Sequence, residues 1–233
     1  MNTNHEVRHS ADDRVNSILY AVYAWMAVAL GITASIAYYV GNTPALYTYL
    51  RENPWVVFLL FIAQLALAFG LMLFINRMSG IFAMTMFIGY AITMGITMSF
   101  IFVVYTTASI AVTFLVAAGM FGGMALYGYF TKTDLSRIGS IGIMMVIGLI
   151  IGGLVNLLLR SPMVNMILSF VGVIAFSVLT AYDIQKIKQI SRSLLADKET
   201  SSKIAIICAL TLYLDFVNLF LYLLQLFGKK KEQ

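Results

Sequence analysis

The chain is short of nearly everything that keeps a protein of its length in water. Only 11% of its 233 residues are charged, less than half of the roughly one quarter typical of soluble domains. Cysteine occurs once, as Cys208, so no disulfide closes within the chain and nothing indicates an oxidising compartment. The two histidines, His5 and His9, precede the first apolar run. A serine intramembrane protease, which needs a histidine within the membrane, is thereby excluded. Proline is equally sparse: Pro44, Pro54 and Pro162 all fall between apolar runs, where a missing N–H costs nothing.

What fills the chain is apolar. Hydrophobic residues make up 61% of it and the mean hydropathy is +0.91. Crossing a hydrocarbon core takes about 20 such residues as helix. Seven runs qualify: Ile18–Val40, Trp55–Ile75, Ile81–Tyr105, Ile110–Phe130, Ile138–Leu159, Val164–Tyr182 and Ile204–Phe227. The fold class expected is therefore an all-α membrane protein. It divides into a polar N-terminal tail (1–17), a seven-helix transmembrane domain (18–228) and a short basic tail (229–233). Met1–Ser17 is no signal peptide, because its charge is mixed and the run after it is long and lacks a small-residue cleavage site. The net charge of +5 reads as topology information. The aromatics lie in apolar runs rather than among the lysines, so no nucleic-acid footprint is expected.

With seven spans, one side holds Arg8, Arg14, Arg77, Lys132, Arg137, Lys186, Lys188, Arg192, Lys198 and Lys203. The other holds Arg51 and Arg160 plus the tail Lys229–Lys231. The imbalance predicts a cytoplasmic N-terminus and an outside C-terminus. The tail lysines dissent, but a re-entrant hairpin needs a break, and Ile204–Phe227 contains neither Gly nor Pro. The uncharged connection Tyr105–Ser109 is expected to lie tightly on the membrane surface. Gly119 with Gly123, and Gly148 with Gly152 and Asn156, have the spacing of close-packing helix rows. Met84, Met86, Met94 and Met98 read as packing or lipid-facing residues.

The last span carries a polar stripe. Cys208, Thr211, Asp215, Asn218, Tyr222 and Gln225 recur at alternating steps of three and four, which places them on one face. That face must turn toward other helices or a wet cavity. Asp215 lies about 16 Å along the helix from Ile204, at ~1.5 Å per residue. Ionised there, it costs at least about 2.5–3.5 kcal/mol, so a proton, a cation or a shared hydrogen bond must offset it. A second carboxyl, Asp183, ends the sixth span in Thr180-Ala181-Tyr182-Asp183. It reads either as an interfacial aspartate touching water or as the partner of Asp215. Two carboxyls together in low dielectric cannot both ionise cheaply, which makes such a pair a proton sensor and a transient cation contact. Arg77, at the end of the second span, reads as their counter-charge or as a plain topological anchor.

At these residues the sequence resembles a known family. TAYDIQKIK at Thr180–Lys188, ALTLYLDFVNLFLYLLQLFG at Ala209–Gly228 and GMFGGMALYGYFTKTD at Gly119–Asp134 are similar to the bacterial branch of the Bax inhibitor-1 family, and the likeness runs from about Tyr20 to Gly228. The resemblance implies seven helices with the last central and wrapped by the other six. It implies a pH-sensitive calcium leak across the bacterial inner membrane, gated by the aspartates matching Asp183 and Asp215, with Arg77 as alternating partner. Calcium would be the permeant ion, with no cofactor. Binding to a membrane quality-control protease through the N-terminal tail is the alternative the family suggests. The acidic tail of the eukaryotic branch is missing, so cell-death regulation is not carried over.

The expectation is of a protein that is not an enzyme. An intramembrane aspartyl protease also pairs two aspartates, but its second motif is Gly-x-Gly-Asp, and Leu212-Tyr213-Leu214-Asp215 is bulky throughout. The Pro-Ala-Leu at Pro44–Leu46 lies on the opposite expected side. A retinal protein needs a lysine in its last helix, and Ile204–Phe227 has none. Composition and spacing say nothing of the oligomeric state.

Overall fold

The computed structural model describes residues 3–193 and 198–231, with side chains over 15–192 and 199–231. The far ends of both tails, and the side chains of Arg8, Arg14 and Lys198, lie outside the described residues. The helices are α1 (Thr3–Gly41), α2 (Pro44–Glu52), α3 (Pro54–Phe74), α4 (Gly80–Met98), α5 (Ile101–Val104), α6 (Thr107–Phe130), α7 (Ser136–Leu159), α8 (Pro162–Ser193) and α9 (Lys198–Phe227). Seven helical stretches are long and apolar enough to cross a membrane. Among the described residues there is no strand, only an isolated antiparallel bridge between Tyr105 and Lys230.

Several boundaries differ from those expected. Each proline opens a helix, its fixed φ and missing N–H suiting the first turn. Pro44 thereby starts the short helix α2, where a plain connection was expected. From Thr3 onward the polar N-terminal tail is continuous with the first span. The third span breaks at Ser99, whose N–H and hydroxyl both turn back to the Ile96 carbonyl, at 3.2 and 2.6 Å. Most consequentially, α8 runs on to Ser193, so Asp183 does not end the sixth helix but lies within it.

The glycine rows are corrected as well. A Cβ added at Gly119, Gly123 or Gly148 meets nothing within 4 Å. The buried stripe of α6 is Ile110, Thr113, Ala117, Phe121, Ala125 and Gly128, and the paired glycines lie off it. Only Gly152 seats a neighbour, the Leu168 side chain. Asn156 caps rather than packs: its carbonyl accepts from the Arg160 N–H at 2.7 Å and its Oδ1 from the Ser161 N–H at 3.0 Å. Arg160 takes the left-handed conformation, φ 52°, that closes α7.

The chain forms two compact units, Met1–Val104 with Gln189–Tyr213, and Tyr105–Lys188 with Leu214–Gln233. In the first, α1 approaches α4 closely at Gly95, where an added Cβ would lie 2.9 Å from the Thr33 carbonyl oxygen. Buried Gln64 of α3 donates to Thr97 of α4 at 2.6 Å, satisfying an amide that lipid would not. In the second, α8 is the common partner. Gly128 of α6 rests on the Ala181 backbone, Gly139 and Gly142 of α7 on Tyr182 and Leu179, and Gly172 of α8 itself lies under Tyr222 of α9. Phe216 of α9 sits between Phe114 and Phe121 of α6, with ring centroids 5.2 and 5.6 Å away.

The last helix is the most buried span: 67% of its apolar window is buried, against 11–39% for the others. That agrees with a central last helix.

Candidate functional site

In the second unit α8 and α9 run antiparallel, and the polar stripe of α9 faces its neighbour. Near one end, Gln225 Oε1 accepts from the Ser169 hydroxyl at 2.9 Å. Further along, Tyr222 stacks on Phe176 with centroids 5.9 Å apart and lies over Gly172. Further still, the carboxyls of Asp183 and Asp215 come within side-chain hydrogen-bonding reach of each other. The three contacts follow from helix periodicity, since residues three and four apart share a face on each partner.

A bond between the aspartates has a chemical requirement. An ionised carboxyl only accepts hydrogen bonds, so a bond between two carboxyls exists only while a proton lies between them. Their surroundings differ. Asp183 is half-buried, whereas Asp215 is 5% exposed. Leu214, Asn218 and Tyr222, on the face that Asp215 borders, are partly exposed and Gln225 is exposed, so the carboxyl is buried at the margin of a more open stripe. Asp215 Oδ2 and Ser177 Oγ are the two buried side-chain oxygens without a hydrogen-bond partner among the described residues. A buried, unpartnered carboxyl oxygen forgoes about 1–3 kcal/mol, and such exceptions cluster where a structure does chemistry.

The remaining expected residues are arranged differently. Asn218 donates to the Leu214 carbonyl at 2.8 Å, and Thr211 to that of Ile207 at 3.1 Å, so both are satisfied on their own helix. Arg77 closes the 3-10 turn after α3, as expected for the end of the second span. It is exposed and belongs to the first unit. The cation that acts on Asp183 within its own unit is Lys186, one turn further along α8. Its ammonium also lies 5.7 Å from the Tyr182 ring centroid.

Two residues of the same motif hold the aspartate end together. Gln185 Oε1 accepts from the Leu135 N–H at 2.9 Å, and its amide donates to the Thr133 carbonyl at 2.8 Å. Lys188 donates to the Tyr129 carbonyl and sits 4.6 Å over that residue's ring, at the negative end of α6. Together they clasp the loop between the fourth and fifth spans to α8. The sequence reading counted the lysines as topology signals and passed over Gln185. An amide two residues past an aspartate that follows an apolar run, inside an amphipathic continuation of the helix, was the available signal.

The chain is similar to a known protein family over most of its length. The model of the family described as "Inhibitor of apoptosis-promoting Bax1" matches residues 15–232. Inner membrane protein YbhL of Escherichia coli is 46% identical over 211 residues, covering 90% of each chain. An uncharacterised protein of Borreliella burgdorferi is 38% identical over 217 residues, covering 93% of this chain and 94% of its own. One from Deinococcus radiodurans is 37% identical over 214 residues, covering 92% and 91%.

Proposed function

This chain belongs to the Bax inhibitor-1 family of membrane proteins, and from that premise we propose that it is a proton-sensitive cation leak of the inner membrane. The ion that fits the reading best is calcium. One observation carries it: the close approach of Asp183 and Asp215, two carboxyls that can bond only through a shared proton, beside an oxygen of Asp215 without a partner among the described residues.

The mechanism follows from the charge balance. With the proton in place the pair is held together and α8 stays docked on α9. When the proton leaves, two negative charges repel across a poorly screened gap, and the helices favour an arrangement that separates them or admits a cation between them. A divalent ion meets both carboxyls with hard oxygen ligands. Lys186, one turn along α8, is the counter-charge to Asp183 once the proton leaves. No cofactor and no covalent chemistry enter this account, in which the protein is not an enzyme. The N-terminus is assigned to the cytoplasm from the basic residues, and seven crossings then put the C-terminus outside.

The test is calcium flux from liposomes containing the purified chain, across a pH series. Asp215→Asn keeps the shape of the side chain and deletes its titration, so flux should change and its pH response should vanish. Flux and pH profile identical to those of the unaltered protein would contradict the leak. Binding to a membrane protease, the other reading that the family suggests, would then stand in its place.

A further inference from the structure

The C-terminal segment does not trail away from the last helix. Gly228 ends α9 with its N–H on the Leu224 carbonyl at 2.8 Å, and the chain then folds back over the uncharged hairpin between the third and fourth spans. The Thr106 N–H donates to the Lys229 carbonyl at 3.0 Å, the Lys229 N–H donates to the Ser109 hydroxyl at 2.8 Å, and Lys230 bridges antiparallel to Tyr105. Gly228 makes the return possible: an added Cβ would meet the Tyr105 ring at 2.6 Å. The basic residues therefore ride on a backbone fixed to the rest of the second unit.

Depth and charge decide what they meet. Phe227 is 68% exposed, as a lipid-facing side chain is, and the exposed Lys229, Lys230 and Lys231 begin two residues later. Their ammonium groups thus start where the apolar surface stops, at headgroup level. The hairpin beneath them, Tyr105–Ser109, offers no carboxylate. Span alternation puts few other basic residues on the same side of the membrane, Arg51 and Arg160. Three consecutive lysines oppose the charge bias that orients the protein, so a role other than orientation accounts for them.

We infer that Lys229–Lys231 form a strap that docks anionic phospholipid headgroups against the hairpin end of the bundle. Each lysine near an anionic surface strengthens binding by up to roughly fivefold, weakened by salt. The strap does not depend on the aspartate pair, so its test is independent of the leak.

Native mass spectrometry of the full chain, released from micelles holding equimolar phosphatidylglycerol and phosphatidylcholine, reads the preference directly. The unaltered protein should retain phosphatidylglycerol several-fold over phosphatidylcholine. The variant Lys229→Gln/Lys230→Gln/Lys231→Gln, altered only at exposed positions, should fall close to parity, and the corresponding Lys→Arg triple should keep the preference. Gly228→Val retains all three charges but displaces the strap, and it should lose much of the preference. An undiminished preference in the glutamine variant overturns the proposal, and so does an undiminished preference in Gly228→Val. Added inorganic phosphate should not displace the lipid; if it does, the site is one for a free anion and the lipid assignment is wrong.

Discussion

Two positions on one turn of the last helix handle burial in opposite ways. Tyr213, in the first unit, is fully buried and ends in a closed chain. Its hydroxyl pairs with that of Thr33 at 2.7 Å, and Thr33 donates to the Ala91 carbonyl at 3.0 Å. Phe87 and Tyr90 meet its ring edge-on, with centroids 6.0 and 5.9 Å away. Asp215, in the second unit, is as deep but open. Its carboxyl comes within hydrogen-bonding reach of Asp183, and Oδ2 has no partner among the described residues. A closed polar chain holds helices in one arrangement. An open one leaves a group that a proton or an ion can satisfy, and this distinguishes the joint from the proposed sensor.

That contrast can be broken from either side. Thr33→Val removes the partner of a buried phenol and strips the chain, and should destabilise the protein by about 1–3 kcal/mol. Tyr213→Phe leaves Thr33 still donating to Ala91 and should cost less, about 0.5–1.5 kcal/mol. Thermal unfolding in detergent orders the two, and a Tyr213→Phe loss equal to that of Thr33→Val would show that the chain is not a chain. Asp215→Asn is expected to leave the unfolding midpoint nearly unchanged, because an open site has little to lose while an amide can still bond Asp183. A large fall in its midpoint would make the pair a structural joint after all.

The smallest effect is expected outside the membrane. Asp134, in the clasped loop, accepts from Ser136 N–H at 2.9 Å, and that hydroxyl and N–H hold its carboxyl below the usual range. The stability it lends is present above the ordinary aspartate value, near ~4, and fades as pH falls through its lowered one. Asp134→Asn should remove only this acid-side fade, a small change because the group is exposed. It is read from unfolding midpoints down an acid series, where a slope unchanged by the substitution would contradict the assignment.

The sequence carried the spans and the two aspartates because both are local signals. An apolar run declares its own length, and a charge inside one declares its cost. The end of α8 was not legible, because Lys186, Lys188 and Arg192 after an apolar run read as a loop, whereas the partner of Lys188, Tyr129, lies on α6. Gln185 needs Leu135 and Thr133, some fifty residues away, to show what it does. The glycine rows misled for a related reason. Gly119 and Gly123 have the spacing of a packing face, but spacing does not say which face turns inward, and in α6 that face carries Ala117, Ala125 and Gly128. The strap was visible only as an anomaly, basic residues on the wrong side, until Tyr105 and Ser109 gave them a place.

The central claim is that Asp183 and Asp215 act through one shared proton, and a double-mutant cycle on the pH response of calcium flux in liposomes addresses it most directly. Asp183→Asn and Asp215→Asn should each abolish most of the response, and the double variant should add little, because either change removes the same shared proton. Additive losses would mean that the two carboxyls titrate independently, and the paired mechanism would be wrong even if the protein conducts.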